Sequence, residues 1–556
     1  MKPSPALRAP SPIGRGPTTR RWPSPFREKV AVGRMRVLLL FLLLSTGFAD
    51  AARVEIREGH FYVDGSPFYI RGIGYAPWRP HQHPGVSYTG TNHRWTKMDF
   101  ERMKAAHFNT IRTWDALEPD DLALAKENGL MVLQGIWLDP KQDFSDPHNQ
   151  QAALAQVQSV AEQSKDYDNV LGYIVMTEPS PQAVLETGTE PTLQYFRKLK
   201  RTIQTVDPRP VSMDSWIPLA FLDHHDFDFV TFNLYAFWPN SISSAMGLAG
   251  MTRWLTDHLA GDKPLLIGET GGYSVSEASQ TASGGFGGLS DYNQSLKDLE
   301  SLRATLEGHA AGSVLVSWID TWHYPTDPDT HDNEPWEWDG VLGIPTDSSD
   351  DMDGIPRQIY RDVTVYNQLI PVEPKDNHIY PIQQPLPIQV NAADDVVYVR
   401  YNLNDGDWTY LDGSGKGWFQ GSFKLPKLAR KRLTLSFQAL DKDETVLAKK
   451  SVSFLAGVQS EKVTLELKNS SRLEFTATVL GGDHLPIEGR KVSYGCFYPI
   501  SFKEGKGTLT TNAAGQIIFS CPVVNGAPAR YLFVAAGTDS PEYRRTSDLR
   551  IFKLGQ

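Results

Sequence analysis

Cysteine is nearly missing from this chain: only Cys496 and Cys521 occur, both near the C-terminus in strand-like runs, and neither has the spacing of a metal or redox site. They are either a disulfide or two buried thiols. Long apolar runs are scarce too. The one that stands out, VLLLFLLLS at 37–45, is well short of the roughly 20 residues a membrane-spanning helix needs. It follows Met35-Arg36 and precedes Ala49-Asp50-Ala51, the pattern of a secretory signal peptide with a start at Met35 and cleavage after Ala51. Residues 1–34 are Pro- and Arg-rich without apolar periodicity, so 1–51 is expected to stand outside the fold, with no membrane insertion once the leader is gone. Positive charge is also in deficit. Without residues 1–51 the balance of 55 Lys+Arg against 65 Asp+Glu becomes 46 against 63, a net charge of about −17. That excludes nucleic acid and anionic membrane as natural partners and leaves neutral polysaccharide compatible.

Aromatic residues are plentiful, with 14 Trp and 21 Tyr. From Arg53 the pattern becomes regular: a hairpin turning at Asp64-Gly65, then strands ending near Tyr75, Trp114, Leu138, Glu178, Trp216, Tyr235, Glu269 and Trp322, most of them separated by helical segments. Eight strands in this rhythm predict a (β/α)8 barrel over residues 53–368. An open doubly wound sheet is the alternative, disfavoured because no Gly-rich loop follows the first strand. Polar and aromatic residues collect at the predicted strand ends, where barrels carry their chemistry: Trp78, Arg112, Trp114, Trp137 with Asp139, Asp214 with Trp216, Asn233 with Tyr235, and Trp318 with Asp320. Asp115, Glu118, Asp139 and Asp320 are equally suited to capping helices. Loops at 273–290 and 323–340 are long enough to be lids or binding loops. The acids Asp327, Asp329 and Asp332 within the second fit no calcium loop, and no metal or cofactor is assigned.

Two of the buried strands end on a charge. LGYIVM (171–176) runs into Thr177-Glu178-Pro179, and PLLIG (264–268) into Glu269-Thr270-Gly271. A carboxylate closing a buried run is most simply an ion-paired strand end; two of them are what glycoside cleavage by a carboxylate pair requires, one to protonate the leaving oxygen and one to attack the sugar carbon or activate water.

Beyond Gln368 the helical pattern stops. A Pro-rich linker is expected at 369–387, followed by two immunoglobulin-like β-sandwiches at 388–456 and 457–556, each read from short alternating strands with turn signals.

With an acid at the fourth strand and a nucleophile at the seventh, residues 55–365 resemble clan A of the retaining glycoside hydrolases. FYVDGSPFYIRGIGY is similar to the first strand of the family 2 and β-1,3-glucanosyltransferase barrels. WIDTW with DGIPR (Asp353–Arg357) resembles family 2, and the family 5 barrels belong to the same superfamily. The resemblance implies Glu178 as general acid/base, Glu269 as nucleophile, Arg112 and Tyr235 as partners of Glu269, and Trp318 as the floor beneath the sugar. Trp78, Trp114, Trp137 and Trp216 are subsites or packing. Where the clan usually has Asn before the acid, this chain has Thr177, whose single hydroxyl cannot bond at two atoms as an amide does; substrate identity and rate are placed in doubt there. GTLTTNAAGQIIFSC resembles invasin-type immunoglobulin repeats, which implies a spacer role and a secreted or bacterial-envelope setting. The expectation is an exported retaining β-glycosidase, hydrolysing or transglycosylating a β-glucan or related polysaccharide, with no cofactor. The rival is a noncatalytic carbohydrate-binding or cell-surface protein on the same barrel. Sugar, linkage and oligomeric state are not readable.

Overall fold

The computed structural model describes residues 54–82, 93–276, 286–323, 327–380, 385–425, 431–457, 461–524, 531–538 and 546–554. The expected leader and parts of both long loops lie outside these. After three short strands (Val54–Arg57, His60–Val63, Ser66–Phe68), eight parallel strands close into a barrel: β1 Ile70–Tyr75, β2 Thr110–Thr113, β3 Met131–Ile136, β4 Val170–Thr177, β5 Val211–Trp216, β6 Val230–Asn233, β7 Leu265–Gly271 and β8 Gly312–Val316. Every residue of β4 and β7 is buried, as strands between a filled barrel and a helical layer must be. The helices are α1 His93–Ala105, α2 Pro119–Glu127, α3 Pro147–Ser164, α4 Pro181–Thr187, α5 Thr189–Gln204, α6 Asn240–Leu255, α7 Asp291–Glu307 and α8 Gln358–Gln368. Their starts are written locally. Proline opens α2, α3 and α4, Asp146 accepts the His148 amide, and Ser290 accepts the Asn293 amide. Among the described residues no helix is long and apolar enough to cross a membrane.

The strand-to-strand connection from β5 to β6 has no α-helix, only the single turn Ile217–Leu219. Phe221 in that connection stacks on Tyr531 of the last domain at 4.1 Å.

The stretch expected as a linker is not one. Leu369–Glu373 is already a strand, following α8 without a break and pairing antiparallel with Leu386–Ala392, and Ile379–Tyr380 pairs with Val446–Ala456; residues 381–384 lie outside the described ones. Proline misled because Pro371 lies in a strand at the edge of its sheet, where a residue without an N–H is tolerated. A four- and a five-stranded sheet then enclose a core around Ile388, Phe437 and Phe454, and a three- and a four-stranded sheet enclose a second around Phe475, Val492 and Leu532.

Cys496 and Cys521 form a disulfide, Cα to Cα 5.8 Å, across a separation of 25 residues. Closing a loop of that size in the unfolded chain contributes about 3.5 kcal/mol. Cys496→Ser with Cys521→Ser is therefore expected to lower the unfolding midpoint of this sandwich, read by chemical denaturation; an unchanged midpoint would deny the bond a stabilising role.

The second sandwich is fused to the barrel. Phe497, Phe533, Ala535 and Leu549 belong to the same apolar core as the barrel helices. Trp254 of α6 donates its indole N–H to the Leu549 carbonyl at 2.9 Å. Backbone contact is close enough that a Cβ on Gly495 would meet the Ser241 carbonyl at 2.1 Å and one on Gly537 the Ala245 carbonyl at 2.1 Å, so only glycine fits at either.

Candidate active site

The two glutamates stand at strand ends where pairing slips. The register of β4 against β5 shifts between Val175 and Thr177, and that of β7 against β6 between Ile267 and Glu269. Such irregularities re-aim side chains. Met176 and Glu178 both have positive φ, 60° and 49°, which non-glycine residues hold only when their surroundings fix them. The small residue before Glu269 is also dictated: a Cβ on Gly268 would lie 2.7 Å from both Asp214 Oδ1 and Thr231 Cγ2.

Glu269 is buried and surrounded by donors. Trp114 Nε1 donates to Oε1 at 2.7 Å, Arg112 Nη1 is paired with Oε1 at 3.0 Å, and the Tyr235 hydroxyl donates to Oε2 at 2.6 Å. All three favour the anion. Arg112 is fully buried, lies over the Trp114 ring at 4.5 Å, and also holds Asp214 Oδ2 and, at 3.3 Å, the Thr177 hydroxyl. Thr177 is thus engaged by the arginine.

Glu178 is buried with far less support. The Asn233 amide donates to its Oε1 at 3.1 Å, and its Oε2 has no partner among the described residues. Burial first, and then the charge of Glu269, push its carboxyl well above the ordinary glutamate range, with the Asn233 amide working the other way. Burial also pushes Asp214 up to about 7, against the pull of Arg112. Glu178 is favoured as the acid, Glu269 is held by its partners, and the charge of Glu269 reaches Glu178.

The aromatic residues divide. Trp78, Trp114 and the half-buried Trp137 gather with Ala76, Tyr235 and Val316 at the mouth of the barrel, with Phe237 and Trp336 beside them. Trp336 meets the Tyr235 ring edge-on at 5.5 Å, and Phe286 stacks on Phe237 at 4.4 Å. Trp318 is not in this group. It is fully buried between Phe108 and Tyr360 of α8, because β8 ends at Val316 and it is Val316 whose side chain faces the site. Trp216 is not there either. It stacks on Trp238 at 5.2 Å and meets Phe502 of the second sandwich, while its indole N–H donates to the Pro179 carbonyl at 3.2 Å.

Sequence reasoning gave no role to Asn233 and Asp214, although both were visible as polar residues at strand ends; Val316, Trp336 and Phe286 carried no signal in the sequence. Asp320 takes a two-pronged pair from Arg357, at 2.7 Å to each oxygen, and is structural. Asp139 is exposed and accepts the Lys141 amide. Asp329 and Asp347 flank His81 at 2.9 and 3.1 Å, and no group of three His, Cys, Asp or Glu among the described residues is placed to hold a metal.

No protein-family model and no curated protein matches the chain. Solved structures similar to it include β-glucuronidase 3 of Bacteroides uniformis, at 15% identity over 90% of this chain and 65% of that one with a TM-score of 0.44. The β-glucuronidase of Ruminococcus gnavus in complex with uronic deoxynojirimycin is 16% identical over 57% of this chain and 52% of that one, TM-score 0.46. The β-D-glucuronidase of Dictyoglomus thermophilum is 16% identical over 57% and 53%, TM-score 0.45. The chain spans between half and two thirds of the length of these proteins.

Proposed function

We propose that the chain is a retaining β-glycosidase, exported, acting on a β-glucan or related polysaccharide. The observation that carries this reading is the unequal treatment of two buried glutamates: Glu269 with two hydrogen-bond donors and a guanidinium on its oxygens, and Glu178 raised toward its acid form with one oxygen unpartnered among the described residues. In this reading Glu178 gives its proton to the glycosidic oxygen while Glu269 attacks the anomeric carbon, forming a glycosyl ester; Glu178, now a base, takes a proton from the water that releases the sugar. Trp78, Trp114 and Trp137 offer ring faces to the sugar. Export is supported by the leader pattern and by the disulfide.

The test is a panel of aryl β-glycosides and β-glucans, with the anomer of the first-formed product read by proton NMR. Release of the β-anomer supports the double displacement, and release of the α-anomer rejects it. The engagement of Thr177 by Arg112 favours a second reading, a binding protein without turnover; glycan binding that survives Glu269→Ala, with no turnover on any substrate, would establish it.

The pH dependence follows from Glu178. Its acid form is required for glycosylation, so kcat/KM is expected to fall as pH rises through its pKa, well above the ordinary value of 4.5. In Glu269→Gln the neighbouring charge is gone but burial remains, so a carbon-13 NMR titration of Glu178 should show its pKa partly lowered. An unchanged value would mean that the two carboxyls do not interact.

A further inference from the structure

We propose that Phe502, contributed by the second sandwich, is a positioning residue for Glu178; this rests on the reading of Glu178 as proton donor. Glu178 is tied to β5 at two backbone points. Its own N–H donates to the Asp214 carbonyl at 2.9 Å, and the carbonyl of the next residue, Pro179, accepts the Trp216 indole N–H at 3.2 Å. Its left-handed backbone, φ 49°, persists only while such ties hold it. The second tie is a ring, held between Trp238 of the barrel and Phe502 from outside it.

Trp216 ends β5, directly before the connection that lacks an α-helix. It is stacked on Trp238, with interplanar angle 20°, and Phe502 closes the group at 5.9 Å from Trp216 and 6.1 Å from Trp238. Phe502 lies between the strands Lys491–Tyr498 and Lys503–Thr510, itself at positive φ, 51°. Its surroundings are braced. Phe497 packs on both Trp238 and Phe502, the adjacent Cys496 is bonded to Cys521, and the Tyr498 hydroxyl donates to the Pro522 carbonyl at 2.6 Å. The Glu504 carboxylate accepts the Ser241 amide at the start of α6. A spacer domain needs none of these contacts. Together they form a line from the sandwich through Phe502 and Trp216 to the backbone that aims Glu178.

The test uses the full chain and a pair of aryl β-glycosides of the preferred sugar. Dinitrophenolate departs without protonation, whereas phenol needs the acid. Phe502→Ala is expected to lower kcat/KM about tenfold or more on the phenyl glycoside and to leave the dinitrophenyl glycoside nearly unchanged. Phe502→Leu, which keeps an apolar contact, should restore most of the loss. Equal losses on both substrates, or none on either, would overturn the proposal. Val463→Ala, which loosens the sandwich core away from Phe502, should not change the ratio; if it does, general loosening explains the effect and the proposal falls.

Glu178→Ala measured alongside separates the two readings, since a missing leaving-group dependence there removes the proton-donor role itself. Hydrogen exchange then decides the coupling independently of turnover. Phe502→Ala should speed exchange in residues 176–180 while 265–271 stay protected, and unchanged or equally increased exchange in both segments refutes it.

Discussion

Glu269→Ala will lose turnover by a factor on the order of 10⁵ to 10⁶, the scale seen when a covalent nucleophile is deleted, and azide will return part of it as the α-glycosyl azide. The loss is large because nothing nearby can replace the carboxylate: Asp214 is already held by Arg112, and in the proposed mechanism Glu178 serves as the acid. The three donors left behind, from Trp114, Arg112 and Tyr235, form a ready anion site for azide on the face opposite the leaving group. Attack from there inverts the anomeric carbon. Glu178→Ala should lose about 10²- to 10⁴-fold, the worth of acid–base catalysis. Azide rescue of that variant should give the β-anomer, because azide enters on the water's side of the glycosyl ester. The same anomer from both variants would contradict the assignment.

Arg112→Met will destabilise the barrel by about 3–5 kcal/mol, the cost of stranding a buried charge. In this chain it strands two, Asp214 and Glu269, and unties the Thr177 hydroxyl. The loss will depend on pH. Asp214 already has a folded pKa raised from 3.8 to about 7. A carboxyl raised in the folded state leaves stability intact below its unfolded value and lowers it as pH rises through the folded one. Without the arginine that window extends upward, so the defect measured by denaturant unfolding should be larger above pH about 7 than near the ordinary carboxyl range. A defect equal at both ends would mean that lost packing, not stranded charge, is the cause. Arg112→Lys keeps the charge but not the fork, and should fall between wild type and Met.

The barrel was readable because its signals are local: apolar runs bounded by Pro, Ser, Asp and Gly caps. Glu178 and Glu269 were readable as charges closing such runs. What escaped depended on geometry a sequence does not carry. Whether Trp318 or Val316 faces the site turns on where β8 stops. Asn233 reaches Glu178, and Asp214 reaches Arg112, across a slipped register. Trp216 looked like a subsite because the residue that covers it, Phe502, lies far along the chain. Pro371 looked like linker because edge and linker tolerate the same residue.

The docking of the second sandwich on α6 also decides where this chain can be cut. A fragment stopped at residue 456, after the first sandwich, would turn Trp216, Trp238, Ile242 and Trp254 toward water, side chains now at most 8% exposed. Burying each contributes roughly 1.5–3 kcal/mol, and together they would form an apolar patch of the kind that drives aggregation. The smallest piece that keeps the barrel's packing intact therefore includes the last domain, and expression trials guided by sequence boundaries alone would strip the cover from α6.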